Sequence, residues 1–178
     1  MVFNMNRKKT TAKKVAFLGI MGALALALSF LESLIPPLPG LPPGAKPGFS
    51  NVVTMFLASS SGIADAFFIT ILKAAFAGIT RGPTAMFMSA AGGLLSTLAA
   101  CILLRSKKTR LGYIGIGIIC AVCHNIGQLT IACILSGTWA LVTGYGPLLM
   151  LFAIVTGFVT GTTLKAVLPP LEKIYNRL

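Results

Sequence analysis

Five long apolar runs constrain the fold of this chain more than any other feature. They cover residues 15–31, 62–80, 83–104, 111–135 and 147–164. Several reach the ~20 residues that a helix needs to cross a bilayer. Charged residues make up only 10% of the chain, whereas a soluble domain carries roughly 25%. Backbone polar groups in lipid must be satisfied within the chain, and helices achieve this. The sequence therefore predicts an all-α, polytopic membrane protein.

Proline and glycine positions divide the chain into six predicted helices. We expect them at about 15–35, 49–59, 63–79, 84–104, 111–136 and 147–167. The first ends at a proline cluster within residues 36–47, because proline cannot continue a helix. The second spans only ~16 Å as a helix, so it must be buried or partly re-entrant. The predicted organisation is a basic amino terminus (1–14), one membrane domain (15–168) and a short amphipathic tail (169–178).

The basic residues predict how the six helices are oriented. The chain has 15 Lys and Arg, 3 Asp and Glu, and a formal net charge of +12. With the amino terminus in the cytoplasm, twelve of these cations lie inside, while Lys46 and Arg81 lie outside and Lys73 lies within the membrane. This skew follows the positive-inside rule and predicts a six-helix bundle with both termini cytoplasmic. Nucleic-acid binding is not expected, because no basic surface is interleaved with aromatic residues.

Polar side chains within the predicted helices indicate a ligand site. Such groups are costly in lipid and usually mark a pathway or a binding site. At ~1.5 Å per residue, they gather in the outer half of the membrane together with Glu32, whereas the inner half holds only Asp65. We therefore predict a cavity open to the outside that takes a neutral or anionic solute. The alternative is interhelical hydrogen bonding. The predicted ligand-binding residues are Lys46, Asn51, Lys73, Arg81, His124, Asn125 and Gln128.

The stretch CAVCHNIGQL, residues 120–129, matches the C-x-x-C-H pattern of c-type haem attachment. Here the pattern lies in the middle of an apolar helix, which leaves no room for a covalently held macrocycle. A closed zinc site needs four ligands, and no carboxylate lies nearby in the sequence. We expect the cysteines to pack in the helix, and we predict neither a metal nor a cofactor.

Residues for catalysis are also few. The chain contains no G-x-x-x-x-G-K-[ST] phosphate loop. Its three acids, Glu32, Asp65 and Glu172, are far apart in the sequence, which argues against a magnesium site for diphosphate chemistry. The single histidine lies among amides, so no Ser–His–Asp arrangement is plausible. The sequence predicts a protein that is not an enzyme.

Small residues recur at a spacing of four in the first helix, at Gly19, Ala23 and Ala27. Such rows let helix backbones approach closely in lipid. From spacing alone, the row either packs within the bundle or docks on another membrane subunit.

Three sequence blocks carry a family resemblance: PGAKPGFSNVVT at 43–54, SAAGGLLSTLAA at 89–100 and HNIGQLTIA at 124–132. Together with the basic start and small-residue row of the first helix, they resemble the Gx transporters, also labelled heptaprenyl diphosphate synthase component I. The resemblance extends over nearly the whole chain. That family in turn resembles the substrate-binding S components of energy-coupling factor (ECF) transporters.

The resemblance implies a six-helix S component, in a bacterial cell membrane, that captures a scarce small molecule from outside. It implies that Gly19, Ala23 and Ala27 dock on an ECF coupling membrane protein driven by two ATPase subunits. Family links to redox, flavin and isoprenoid proteins suggest a quinone precursor, an isoprenoid or a flavin-type solute. The alternative is a non-catalytic membrane partner of a redox or polyprenyl-diphosphate-synthesising complex, with no solute of its own.

Overall fold

A computed structural model describes residues 11–34, 48–106 and 111–177. Within these ranges every regular element is an α-helix, which confirms the predicted all-α membrane fold. Five of the helices are long and apolar enough to cross a membrane, and the second is short. The six helices are α1 (Thr11–Leu34), α2 (Asn51–Ser60), α3 (Ile63–Arg81), α4 (Pro83–Arg105), α5 (Tyr113–Ser136) and α6 (Ala140–Arg177).

Helix α1 has two different faces. Phe17, Met21 and Ala25, each one turn apart, are buried against the other helices, as expected for residues on one side of a helix. The small-residue row Gly19, Ala23 and Ala27 is exposed on another side. A Cβ atom added to Gly19 would meet no described atom within 4 Å. The row therefore does not pack against the described part of the bundle.

Helix α2 is short because it lies inside the bundle. Seven of its ten residues are buried, including Phe56 and Leu57, which are at most 2% exposed. It packs against α3, α4 and α6. Neighbouring helices, not lipid, surround most of its side chains, so it does not need the length of a spanning helix.

Helix α5 packs closely against helices on both sides. A Cβ atom at Gly127 would lie 2.7 Å from the backbone of Ala91 in α4. On the other side, a Cβ at Gly117 would lie 2.7 Å from the backbone nitrogen of Gly161 in α6, and Gly157 of α6 lies against Ile118. Any side chain at these glycines would push the backbones apart. The chain between Gly117 and Gly127 is thus held on both sides.

Helix α6 is longer than the sequence predicts. We expected a helix over 147–167 followed by a separate tail, but α6 begins at Ala140 and ends at Arg177, with Pro147, Pro169 and Pro170 inside it. A proline removes one backbone hydrogen bond, yet the chain remains helical through all three. Packing of the last turns explains this at one end, because the ring of Tyr175 lies 5.1 Å from that of Phe17 in α1.

The end of the bundle where α1 begins is joined by polar contacts. Nζ of Lys14 lies 3.0 Å from the Asp65 carboxylate of α3, which also accepts a hydrogen bond from Ser61. Nε of Arg105 in α4 donates to the carbonyl oxygen of Ala58 in α2 over 2.8 Å. These contacts link four helices at one end and involve the acid predicted to lie in the inner half of the membrane.

Candidate functional site

A partly open polar cavity lies among α1, α3, α4, α5 and the start of α2. Its volume is about 20 Å³, room for about one or two water molecules. Thirteen of the described residues line it; ten have polar side chains, and the other three are Gly48, Ala85 and Gly93. The polar ones are Ser29, Glu32, Ser50, Asn51, Thr70, Lys73, Arg81, Ser89, His124 and Gln128.

Lys73 places an amine in the wall of this cavity. It lies in the middle of α3 and is only 5% exposed. Its Nζ donates a hydrogen bond to Oδ1 of Asn51, the first residue of α2, over 2.8 Å. Asn51 is itself buried. A cation in a membrane interior is costly and needs polar neighbours, and this contact supplies one of them.

Glu32 connects α1 to the start of α2. One carboxylate oxygen accepts a hydrogen bond from the backbone nitrogen of Ser50 over 2.6 Å, and the other lies 3.5 Å from the Ser50 hydroxyl. The guanidinium of Arg81, at the end of α3, interacts with the charge of Glu32. The lining therefore combines two basic side chains, Lys73 and Arg81, with one carboxylate.

Two glycines allow the imidazole of His124 to lie at the cavity. A Cβ at Gly48 would lie 3.0 Å from Cδ2 of the ring, and Gly48 has a positive φ of 84°. A Cβ at Gly92 would lie 2.7 Å from the carbonyl oxygen of His124. Both positions need glycine for close approach. Nδ1 lies beside Gly92 and has no well-formed hydrogen bond to the described residues.

The structure brings together five of the predicted site residues: Asn51, Lys73, Arg81, His124 and Gln128 all line the cavity. Asn125 lies elsewhere. Its Nδ2 donates to the carbonyl oxygen of Leu149 in α6 over 2.7 Å, so its amide joins two helices. Lys46 lies outside the described residues.

Sequence reasoning did not assign Glu32 or the hydroxyl groups of the lining to the site. Two of these hydroxyls have a recognisable signal. Ser29 precedes Glu32 by three residues, and Thr70 precedes Lys73 by three, a spacing that puts each pair on one helix face. A Ser or Thr one helical turn from a charged residue within the membrane could therefore have been included in the predicted site.

The C-x-x-C-H pattern forms no site of its own in the described part of the chain. Cys120 and Cys123 are free thiols, and so are the other two cysteines. No three His, Cys, Asp or Glu side chains of the described residues gather where a metal ion could be held. His124, the histidine of this pattern, instead lines the polar cavity.

The fold and the cavity define a multi-pass helical membrane protein with a charged, polar cavity between its helices. Residues 21–167 match the model of a family described as heptaprenyl diphosphate synthase component I. The match covers most of the chain, so the chain belongs to this family, as the sequence blocks predicted. No curated protein and no solved structure matches it.

Proposed function

We propose that this chain is the solute-binding membrane subunit of an ATP-driven uptake system, and that the polar cavity holds a small organic solute with an anionic group. One observation carries the proposal: Glu32, Lys73 and Arg81 line a single cavity within the membrane domain. The charge of Lys73 costs ~2.5–3.5 kcal/mol because it lies near the centre of a spanning helix, whereas Glu32 and Arg81 lie in the last turns of α1 and α3. Helix packing alone does not require them.

The alternative role for these side chains is to hold the helices together. Interhelical hydrogen bonds in membranes contribute only ~0.6 kcal/mol on average, which is well below the cost of burying the charges. The polar groups also surround a void instead of filling it. Four hydroxyls, an imidazole and two amides line the same space as the charges, a combination that suits recognition of a solute rich in oxygen or nitrogen.

The exposed row on α1 supports a docking role. Gly19, Ala23 and Ala27 face away from the described bundle, and rows of this kind let another helix approach closely. In this proposal the row contacts an ECF coupling membrane protein, and two ATPase subunits drive the complex. The protein lies in a bacterial cell membrane with both termini in the cytoplasm and the cavity opening outward.

In this proposal the chain performs no catalysis. Its three acids lie apart in the structure: Glu32 binds Ser50, Asp65 binds Lys14, and Glu172 lies 3.5 Å from Ser60. Diphosphate chemistry requires clustered oxygen ligands for Mg²⁺. The family description favours a second candidate, a non-catalytic membrane partner of a polyprenyl-diphosphate-synthesising or redox complex.

Native mass spectrometry of the gently purified protein tests the first function. We expect a small molecule to remain bound to the wild type and to the Lys165→Met control, since Lys165 is exposed and outside the cavity. We expect it to be lost from Lys73→Met. Co-purification with a coupling protein and two ATPases would support uptake. Recovery only with a prenyl synthase or flavoproteins, and no retained molecule, would support the second candidate.

A further inference from the structure

We propose, on the basis of the uptake function proposed above, that the cavity selects its solute by charge and takes a small hydroxylated monocarboxylate. Three features of the cavity indicate this chemical class: the number of charges in its lining, the nature of the remaining lining groups and its size.

The cavity lining contains more basic than acidic side chains. The whole chain has three acids, and two of them are engaged away from the cavity, where Asp65 binds Lys14 and Glu172 lies near Ser60. Glu32 is thus the one carboxylate that the chain offers to two cations, Lys73 and Arg81. Among the described residues, and with His124 counted as neutral, the lining carries a single net positive charge.

A net charge in the membrane interior is unfavourable, so the solute that neutralises the lining binds best. A monoanion leaves the filled cavity neutral. A neutral solute leaves the positive charge without compensation, and a dianion replaces it with a negative one beside Glu32. Like charges at short distance repel strongly in a low-dielectric region. The carboxylate of Glu32 therefore lowers the affinity for dianions such as phosphate esters.

The uncharged part of the lining indicates a hydrophilic solute. Among the described residues the cavity is lined by no Phe, Tyr or Trp ring and by no branched aliphatic side chain, and Ala85 is its one apolar side chain. A flavin ring or a prenyl chain gains affinity by burying apolar surface against an apolar wall, which this cavity does not provide. The hydroxyls of Ser29, Ser50 and Ser89 and the amide of Gln128 instead match solute hydroxyl groups.

The cavity volume agrees with a compact charged group. About 20 Å³ accommodates one or two waters or a compact group such as a carboxylate. Lys73 and Arg81 are eight residues apart on α3, or ~12 Å along the helix. A carboxylate at one end and a chain of hydroxyls towards the other would follow this face of α3 once α1 and the start of α2 move outward.

The test uses the full-length protein in lipid nanodiscs and two sets of probes matched in carbon number. The three-carbon set is glycerol, glycerate and tartronate, and the six-carbon set is sorbitol, gluconate and glucarate. Within each set the charge is zero, one or two negative. We expect the monoanion of at least one set to bind about tenfold or more tightly than its neutral and dianionic counterparts, measured by calorimetry.

Charge variants make the test specific. Glu32→Gln keeps an oxygen for the Ser50 backbone nitrogen but raises the net charge by one, so we expect the preference to move to the dianion. Lys73→Gln lowers the net charge by one and should move it to the neutral polyol. Lys165→Gln, which removes an exposed lysine, should leave the preference unchanged. If both Glu32→Gln and Lys73→Gln still prefer the same solute charge as the wild type, the net charge of the lining does not select the solute.

Riboflavin and isopentenyl diphosphate are included as competing probes. Tighter binding of either one that is lost in Lys73→Gln overturns the inference and leaves the uptake function intact. If no monoanion binds while native mass spectrometry shows another retained molecule, the inference also fails alone. If no probe binds and no molecule is retained, both the inference and the uptake function fail.

Discussion

Lys73 in the middle of α3 donates a hydrogen bond to Oδ1 of Asn51 at the first residue of α2, over 2.8 Å. The contact joins the one lysine of α3 to the start of a helix in which seven of the ten residues are buried. It therefore fixes the position of the cavity along the bundle. Lys73 lies eight residues, or ~12 Å of helix, from Asp65 and the polar contacts at the opposite end.

Replacing Lys73 with Met should weaken binding of an anionic solute without lowering the stability of the empty protein. Loss of the donor to Asn51 costs ~1–3 kcal/mol, but removal of a buried cation recovers ~2.5–3.5 kcal/mol. We expect an equal or higher unfolding temperature in detergent, with binding weakened at least about tenfold. A variant that unfolds earlier and binds normally would show that Lys73 is structural.

Glu32→Ala should destabilise the protein by ~1–3 kcal/mol, because the buried backbone nitrogen of Ser50 loses its acceptor. Glu32→Gln is the matched control, since its amide oxygen can still accept that hydrogen bond. Denaturant titration of the two variants in mixed micelles measures the difference. Equal stability of both variants would mean that the Ser50 contact contributes little to the fold.

Gly48→Ala should weaken solute binding more than it weakens the fold. Gly48 has a φ of 84°, and a Cβ there would lie 3.0 Å from the His124 ring and 2.9 Å from Nδ2 of Asn51. Gly82→Ala is the control, because Gly82 has a φ of 91° but no described atom within 4 Å of the added Cβ. Both changes cost about 1–3 kcal/mol of backbone strain, because an alanine rarely adopts a positive φ. Calorimetry should show lost affinity in Gly48→Ala alone.

Leucine substitutions at two glycines should separate docking from folding. Gly19→Leu adds a side chain to an open surface, so we expect normal folding and solute binding but loss of the coupling protein on co-purification. Gly157→Leu forces its Cβ to within 2.7 Å of the backbone nitrogen of Ile118, and overpacking costs ~1–3 kcal/mol or more. It should lower the unfolding temperature. If the coupling protein still co-purifies with Gly19→Leu, the small-residue row of α1 is not the docking surface.

Asn125 and Gln128 should differ although both lie on α5. Asn125→Ala loses the hydrogen bond to the Leu149 carbonyl and should cost ~1 kcal/mol of stability, with little change in solute affinity. Gln128→Ala, at the cavity, should weaken affinity by ~1–3 kcal/mol if a buried partner is left unsatisfied. Thermal unfolding and calorimetry on both variants give the comparison. A loss of solute affinity in Asn125→Ala would show that Asn125 belongs to the binding site.

The sequence predicts the helices well because apolar runs reflect a simple physical requirement of the bilayer. It fails at the ends of α6, where Pro147 and Pro169 suggest boundaries but neighbouring packing keeps the chain helical. It also predicts that polar residues within the membrane converge, because a polar side chain in lipid is costly unless other polar groups lie beside it. It cannot separate Asn125 from His124, because α5 has a helix on either side and adjacent residues differ by only ~100° around its axis.

The two faces of α1 have a thermodynamic consequence. One face supplies Ser29 and Glu32 to the cavity wall, and another presents Gly19, Ala23 and Ala27 to the surroundings. Close backbone contacts hold α5 between α4 and α6, so we expect α1 and the start of α2 to move when a larger solute enters. In the proposed uptake system, cargo and coupling protein therefore act on the same helix from opposite sides. Linkage requires each to change the affinity for the other by the same factor.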